Sequence, residues 1–172
     1  NGLWLRPLGG MSWVFAVAPH HPLADAAEPI AAEQIRGHRA AAVADSSPHG
    51  SSLRHGLLDG QDVLTLPSMA AKLDAQLLGV GCGYLPECLA RPYVDAGRLI
   101  VKKTERTQVH ALLHYAWRSG SRPGKALAWW LAALEKPATR RALLSDHALI
   151  ADTGAAAPAG RVGAKSRRKV AP

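Results

Sequence analysis

Residues 68–98 read SMAAKLDAQLLGVGCGYLPECLARPYVDAGR and carry the most informative pattern in this chain. The pattern predicts an amphipathic helix, a Gly-Val-Gly-Cys-Gly turn, a short apolar strand that ends in Leu-Pro, and the start of a second helix. In an α/β protein, a helix N-terminus and a turn of small residues lie beside a cleft that accepts a small ligand. The apolar face of the first helix is predicted to consist of Met69, Leu73, Leu77 and Leu78, with Lys72 outside it.

Strands and helices alternate along the rest of the sequence. The predicted strands are residues 13–18, 39–44, 63–66, 99–102 and 109–117. The predicted helices are residues 29–35, 51–58, 87–94 and 123–135, together with the one that follows Ser68. Such alternation is typical of an α/β fold with a mostly parallel sheet.

Length and composition favour a cytoplasmic globular protein. The chain has 172 residues, of which 48% are hydrophobic, and this is enough for one domain or two small lobes. No run is long enough for a transmembrane helix, and residues 1–4 lack the pattern of a signal peptide. Two cysteines, Cys82 and Cys88, make no disulfide framework and favour a reducing compartment. Because the chain starts without Met, directly on a predicted strand at residues 3–5, we expect a piece of a longer protein.

Half of the net charge of +8 lies near the C-terminus. Residues 151–172 hold five basic residues and one acidic residue, in a segment rich in Ala, Gly and Pro. Such a segment buries too little apolar surface to offset its ordering entropy, which predicts a disordered basic tail. The tail would either attract nucleic acid non-specifically or be a solvated terminus without a partner, and the second interpretation is simpler.

Several motifs, taken in their order and spacing, resemble the effector (substrate)-binding domain of LysR-type transcriptional regulators. They are Leu5-Arg-Pro-Leu8, His21-Pro-Leu-Ala24, the turn from Gly79 to Pro86, Gly97-Arg-Leu-Ile100 and Tyr115-Ala-Trp-Arg118. The resemblance implies an α/β, type II periplasmic-binding-protein-like two-lobed domain. The family's opening first-lobe elements and N-terminal helix-turn-helix have no counterpart here. We therefore expect an incomplete first lobe in a regulator truncated at the N-terminus.

The same resemblance divides the chain into lobes. Residues 1–18 and 65–136 would form the partial first lobe, and residues 19–64 would form the second lobe. Residues 137–150 would be a C-terminal extension, followed by the disordered basic tail at residues 151–172. A small effector would bind in the cleft between the lobes.

Effector contacts carry over from the family by position. Ser46 and Ser47 follow a second-lobe strand, in a loop where the family presents hydroxyl and N–H groups to the effector. Ser68 and Met69 open the helix that follows the hinge. Serine hydroxyls and helix N-termini suit a carboxylate or another anion. The alternative is that these serines are ordinary capping residues without a ligand.

Other constellations lack the order or spacing that their chemistry needs. The glycines at 79, 81 and 83 follow a helix and precede a strand, which is the reverse of a dinucleotide fingerprint. The eight histidines and two cysteines show no zinc spacing, and no Ser or Cys has the base and acid of a nucleophilic enzyme. We therefore expect no enzyme activity, no catalytic or metal-ligating residue and no cofactor.

The function that these features favour is ligand sensing in a LysR-type regulator. A small, anionic metabolite would bind between the lobes and modulate transcription through a helix-turn-helix outside this sequence, which itself holds no DNA-binding residues. The full-length protein would be a homo-oligomer without a membrane partner. The alternative is a solute-binding protein of a transport system with the same architecture, which would need a cleavable apolar leader.

Overall fold

A computed structural model of the chain describes residues 2–44, 56–106, 109–119 and 123–145. In chain order the elements are β1 (Leu3–Val17), α1 (Ala32–Arg36), β2 (Ala40–Val43), β3 (Val63–Leu66), α2 (Met69–Leu77), β4 (Gly83–Pro86), α3 (Glu87–Asp95), β5 (Ile100–Lys102), β6 (Val109–Arg118), α4 (Lys125–Glu135) and α5 (Pro137–Ser145). This alternation confirms the α/β fold class. The helix predicted at residues 51–58 lies largely outside the described residues.

The larger sheet is organised around β1, which continues through 15 residues with an irregularity between Pro7 and Gly9. Its N-terminal two thirds pair with β6, and its C-terminal end lies between β4 and β5. All three pairings are antiparallel, so the expected mostly parallel sheet is wrong for this sheet. The physical reason is that β1 runs against β4 and β5, which each return to it after a helix. Parallel pairing joins β2 to β3.

Two apolar cores cover opposite faces of the sheet where β1 meets β4. Val14 and Ala16 point to a core formed with α2 and α3, called the α2–α3 core, whereas Phe15 and Val17 point to a core on the side of α1. Each core combines residues before position 44 with residues after position 68. This packing therefore does not follow the predicted boundary between residues 64 and 65.

The N-terminal part of β1, together with β6, α4 and α5, presents much apolar surface. Leu3, Trp4 and Leu5 are each about 60% exposed, and no residue of α4 is buried. On α4, Trp129 and Trp130 meet edge to face and are both at least half exposed. Within the part of the chain that the structure describes, no helix has the length and apolar character needed to cross a membrane.

Candidate functional site

The candidate site lies at the edge where the parallel strands end. The strands β2 and β3 are parallel, and a parallel bridge from Ala40 to Cys82 aligns β2 with β4. Their C-terminal ends therefore reach the same edge, where α2 and α3 begin at Ser68 and Pro86. Ligands of α/β proteins bind outside the carboxyl ends of the strands, beside helix N-termini. This edge is thus the part of the fold best suited to hold a small molecule.

Two of the predicted effector contacts lie at this edge. The Ser68 Oγ accepts a hydrogen bond from the Ala71 N–H at 3.1 Å, so Ser68 caps α2 in the way that the alternative interpretation expects. Met69 is only 7% exposed and packs in the α2–α3 core. Its side chain therefore has a structural partner already. Ser46 and Ser47 lie outside the described residues, and effector contact by any of these four residues stays a prediction.

The buried face of α2 differs from the predicted apolar face. Leu78 is 71% exposed, whereas Lys72 is 8% exposed and Gln76 is fully buried. The buried residues of α2 are those at 69, 72, 73, 75 and 76, and positions 69, 72, 73 and 76 among them form a regular helical stripe. The stripe was not predicted because the sequence analysis used apolar residues alone, and two members of the stripe are polar. Its spacing was the available signal, since a polar residue within a buried stripe needs a partner or a function.

Gln76 has a structural role. Its side-chain Nε2 donates hydrogen bonds to the Ala16 carbonyl at 2.8 Å and to the Gly83 carbonyl at 2.9 Å. These two carbonyls belong to paired residues of β1 and β4. Gln76 therefore holds the two strands together beneath α2.

Lys72 lines a small recess between β2 and β4, called the Lys72 recess. Its polar lining consists of Gln61, Lys72, Cys82 and Tyr84, and its remaining lining comes mainly from Ala40 to Ala42 and Gly83. The only bridge that the structure records between β2 and β4 within the described residues joins Ala40 to Cys82. The recess therefore lies beside this bridge, where the Ala41 N–H also donates to the Cys82 carbonyl at 2.9 Å. Its volume is about 10 Å³, about that of one water-sized group.

The Lys72 side chain runs over Gly83. A Cβ atom at position 83 would lie 3.7 Å from both the Cε and the Nζ atom of Lys72, which is an ordinary van der Waals distance, so the end of the lysine packs against this glycine. Among the described residues, none forms a hydrogen bond or ion pair with Lys72 Nζ. Burial lowers the pKa of Lys72 from 10.5 to about 8.

The neighbouring thiol is not an activated nucleophile. Cys82 is fully buried, and its Sγ donates to the Arg39 carbonyl at 3.5 Å. Burial raises the pKa of Cys82 to about 11, which keeps it a neutral thiol at physiological pH. Over the described ranges, no three His, Cys, Asp or Glu side chains converge as a metal site requires.

Sequence comparisons identify relatives of this chain. Residues 1–138 match the family model described as LysR substrate binding domain. The uncharacterized HTH-type transcriptional regulator YeeY of Escherichia coli (strain K12) is 41% identical over 123 residues, which cover 72% of this chain and 40% of YeeY. The HTH-type transcriptional activator AllS of Klebsiella pneumoniae is 37% identical over 94 residues, which cover 55% of this chain and 35% of AllS. The chain thus spans well under half the length of these curated relatives.

Solved structures share the fold. The regulatory domain of MetR, a LysR family regulator from N. meningitidis, has a TM-score of 0.62 at 20% identity, covering 85% of this chain and 66% of that chain. The full-length LTTR LysG from Corynebacterium glutamicum with bound effector Arg has a TM-score of 0.52 at 21% identity, covering 83% of this chain and 47% of that chain. These similarities confirm the predicted two-lobed architecture of the type II periplasmic binding proteins.

Proposed function

This chain belongs to the LysR substrate-binding domain family, and from this premise we propose that it senses a small effector for a DNA-binding transcription regulator. The family match over residues 1–138 carries the proposal, and both quoted relatives are HTH-type regulators. These relatives favour regulation over the transport alternative. Because the chain spans 40% of YeeY, we place DNA binding in a helix-turn-helix outside this chain.

The remaining partners follow from this role. We propose a cytoplasmic homo-oligomer in full-length form, which acts by binding a ligand without catalysing a reaction. The basic segment at residues 151–172 lies outside the described residues and has no assigned role in this proposal.

We infer a different division into lobes from the one predicted. Residues 14–104 share the two cores on β1 and β4 and would form the second lobe. The N-terminal part of β1 and the paired β6 would connect it to a first lobe that includes α4 and α5. In support, a side chain at Gly9 of β1 would contact Leu144, so α5 packs on β1 and is more than an extension.

We place the effector at the edge where β2, β3 and β4 end. Ser46 and Ser47 follow β2, and Ser68 and Met69 begin α2, so the sequence positions converge on this edge. The first N–H groups of α2 and its N-terminal dipole favour an anion. An anionic effector would therefore satisfy groups that the fold leaves open to the cleft.

The experiment that tests the function uses the full-length protein from the native gene. The coding sequence upstream of residue 1 should encode an in-frame helix-turn-helix, and the protein should bind DNA from its own promoter region in an anisotropy titration. Small metabolites that raise its melting temperature should change its affinity for that DNA. A cleavable leader upstream, or ligand binding without any DNA binding, would favour the transport alternative.

A further inference from the structure

We propose that helix α5 is a releasable strap, which holds the ribbon of β1 and β6 in one conformation and lets it bend when α5 detaches. The ribbon consists of residues 3–12 of β1 paired with residues 110–118 of β6. This proposal rests on the function proposed above, in which the ribbon connects the two lobes, and it adds a device that controls their relative movement. Three observations support it: a weak point in the ribbon, a helix fixed on both sides of that point, and the exposure of that helix.

The first observation is the weak point at Leu8. Residues 7 and 9 of β1 pair with adjacent residues of β6, so Leu8 is an extra residue that interrupts the ladder of hydrogen bonds. Pro7, beside it, has no N–H to donate to the ladder. Since β4 and β5 pair with β1 only from Trp13 onwards, β6 is the one described strand that supports β1 at this point. Hinges consist of a few such residues that absorb a change in backbone dihedral angles, so the ribbon bends most easily here.

Gly9 shows how α5 covers this weak point. Its φ of +154° is a conformation that suits glycine. A Cβ atom at Gly9 would lie only 2.5 Å from Leu144 Cδ1, so the leucine of α5 rests directly on the backbone of Gly9. At Gly10, in contrast, a Cβ atom would meet nothing within 4 Å. The contact with α5 is therefore made at the residue that follows the interruption.

The second observation is an anchor on the other side of the interruption. The Glu135 carboxylate, at the end of α4, pairs with the Arg6 guanidinium and accepts a hydrogen bond from the Tyr115 hydroxyl at 3.2 Å. Arg6 and Tyr115 are cross-strand partners, so this anchor holds both strands of the ribbon. Because α5 begins two residues after Glu135, its first turn is fixed next to the anchor.

The dimensions of the two elements agree with a helix that lies across the interruption. The nine residues of α5 rise about 13 Å, and β1 extends about 10 Å from Arg6 to Gly9. The anchor at Arg6 and the contact of Leu144 with Gly9 thus lie on opposite sides of Leu8. A bend of the ribbon at Leu8 would change the distance between these two points, so attached α5 opposes the bend.

The third observation is that α5 is suited to detach. No residue of α5 is buried, and its half-buried residues, at 139, 140, 143 and 144, form one helical stripe. A helix of nine residues is too short to be stable by itself in water, so α5 depends on these contacts. The family model matches residues 1–138, so most of α5 lies beyond the match. The strap is therefore a feature of this chain that the shared family fold does not require.

Hydrogen exchange of the full-length protein, followed by mass spectrometry, tests whether α5 holds the ribbon. Leu144→Ala removes the contact with Gly9, and we expect the amides of residues 9–12 and 111–114 to exchange roughly fivefold faster or more. Leu144→Met retains most of the contact and should exchange like the wild type. Leu78→Ala, at a second-lobe leucine that is 71% exposed, is the matched control and should leave this exchange unchanged.

A pair of glycine variants tests the same contact from the side of the ribbon. Gly9→Ala should speed up exchange in residues 141–145 of α5, because its Cβ would take the place of Leu144 Cδ1. Gly10→Ala should leave α5 unchanged. In the background of Leu144→Ala, Gly9→Ala should add no further increase in α5.

A strap that takes part in regulation must also change the balance between two states. Leu144→Ala should change the affinity of the full-length protein for DNA from its own promoter region by roughly threefold or more, since release of α5 favours one state of the ribbon. Leu144→Met and Leu78→Ala should bind this DNA like the wild type. Anisotropy titrations measure these affinities.

The outcomes are distinct. If Leu144→Ala leaves exchange in the ribbon unchanged, α5 does not hold the ribbon and the proposal is wrong. If exchange increases but the affinity for DNA stays the same, α5 is only a structural support, and the proposal is likewise wrong. If the wild type binds no DNA, the proposed function fails, and the exchange measurements alone decide whether α5 holds the ribbon.

Discussion

Removal of the Lys72 charge should make this chain more stable. The pKa of Lys72 is lowered from 10.5 to about 8, and a change of one unit in pKa corresponds to about 1.4 kcal/mol of free energy. The buried ammonium group therefore costs roughly 3 kcal/mol at neutral pH. Lys72→Met removes this cost and keeps the length of the side chain in the recess, so we expect its free energy of unfolding at pH 7 to rise by about 2–3 kcal/mol.

The sign of the pH dependence follows from proton binding. Between pH 8 and 10.5 the unfolded chain holds the Lys72 proton more tightly than the folded chain, so stability rises with pH there, and below pH 8 the full cost is present. Cys82 has the opposite effect, because its raised pKa of about 11 makes the folded chain lose stability from pH 9 upwards. The window from pH 8 to 9 therefore reports on Lys72.

Urea unfolding followed by tryptophan fluorescence measures these free energies. From pH 8 to 9 the wild type should gain roughly 1 kcal/mol, Lys72→Met should gain nothing, and Cys82→Ala should continue to gain up to pH 10.5. If Lys72→Met is less stable than the wild type at pH 7, the ammonium group has a stabilising partner, and its burial does not cost the free energy stated here.

Three further changes have definite expected outcomes. Ser68→Ala should lose about 1 kcal/mol of stability because α2 loses its cap. Ser68→Asp should keep the cap and weaken binding of an acidic effector. Equal effector binding by both variants would show that Ser68 lies outside the binding site. Gly79→Ala and Gly97→Ala should each lower the free energy of unfolding by about 1 kcal/mol in urea, since both glycines have a φ near +69°. Gly79→Ala should lose more, because its Cβ would meet the His20 ring, and equal losses would contradict this contact. Burial, and to a lesser extent the nearby histidines, lowers the pKa of His21 below 6.5, so stability should fall as the pH drops from 6.5 towards 5. In thermal melts at acid pH, His21→Gln should reduce this loss of stability. An unchanged pH dependence would assign the loss to other groups.

Local signals predicted most helices and strand positions of this chain, because caps and turns act within a few residues. The Ser68 cap, the left-handed Gly97 after α3 and the start of α4 after Pro123 are of this kind. The same signals end a helix at residue 135 but give no sign that Pro137 begins another, since proline suits both positions.

The pairing of strands depended on distant contacts. Residues 3–5 and 13–18 were predicted as separate strands, whereas pairing with β6 over both segments makes β1 continuous. The antiparallel direction follows from where β4 and β5 return, and no local pattern states this. The burial of Lys72 was missed for the same reason, because it depends on residues of β2 and β4 that line the recess around it.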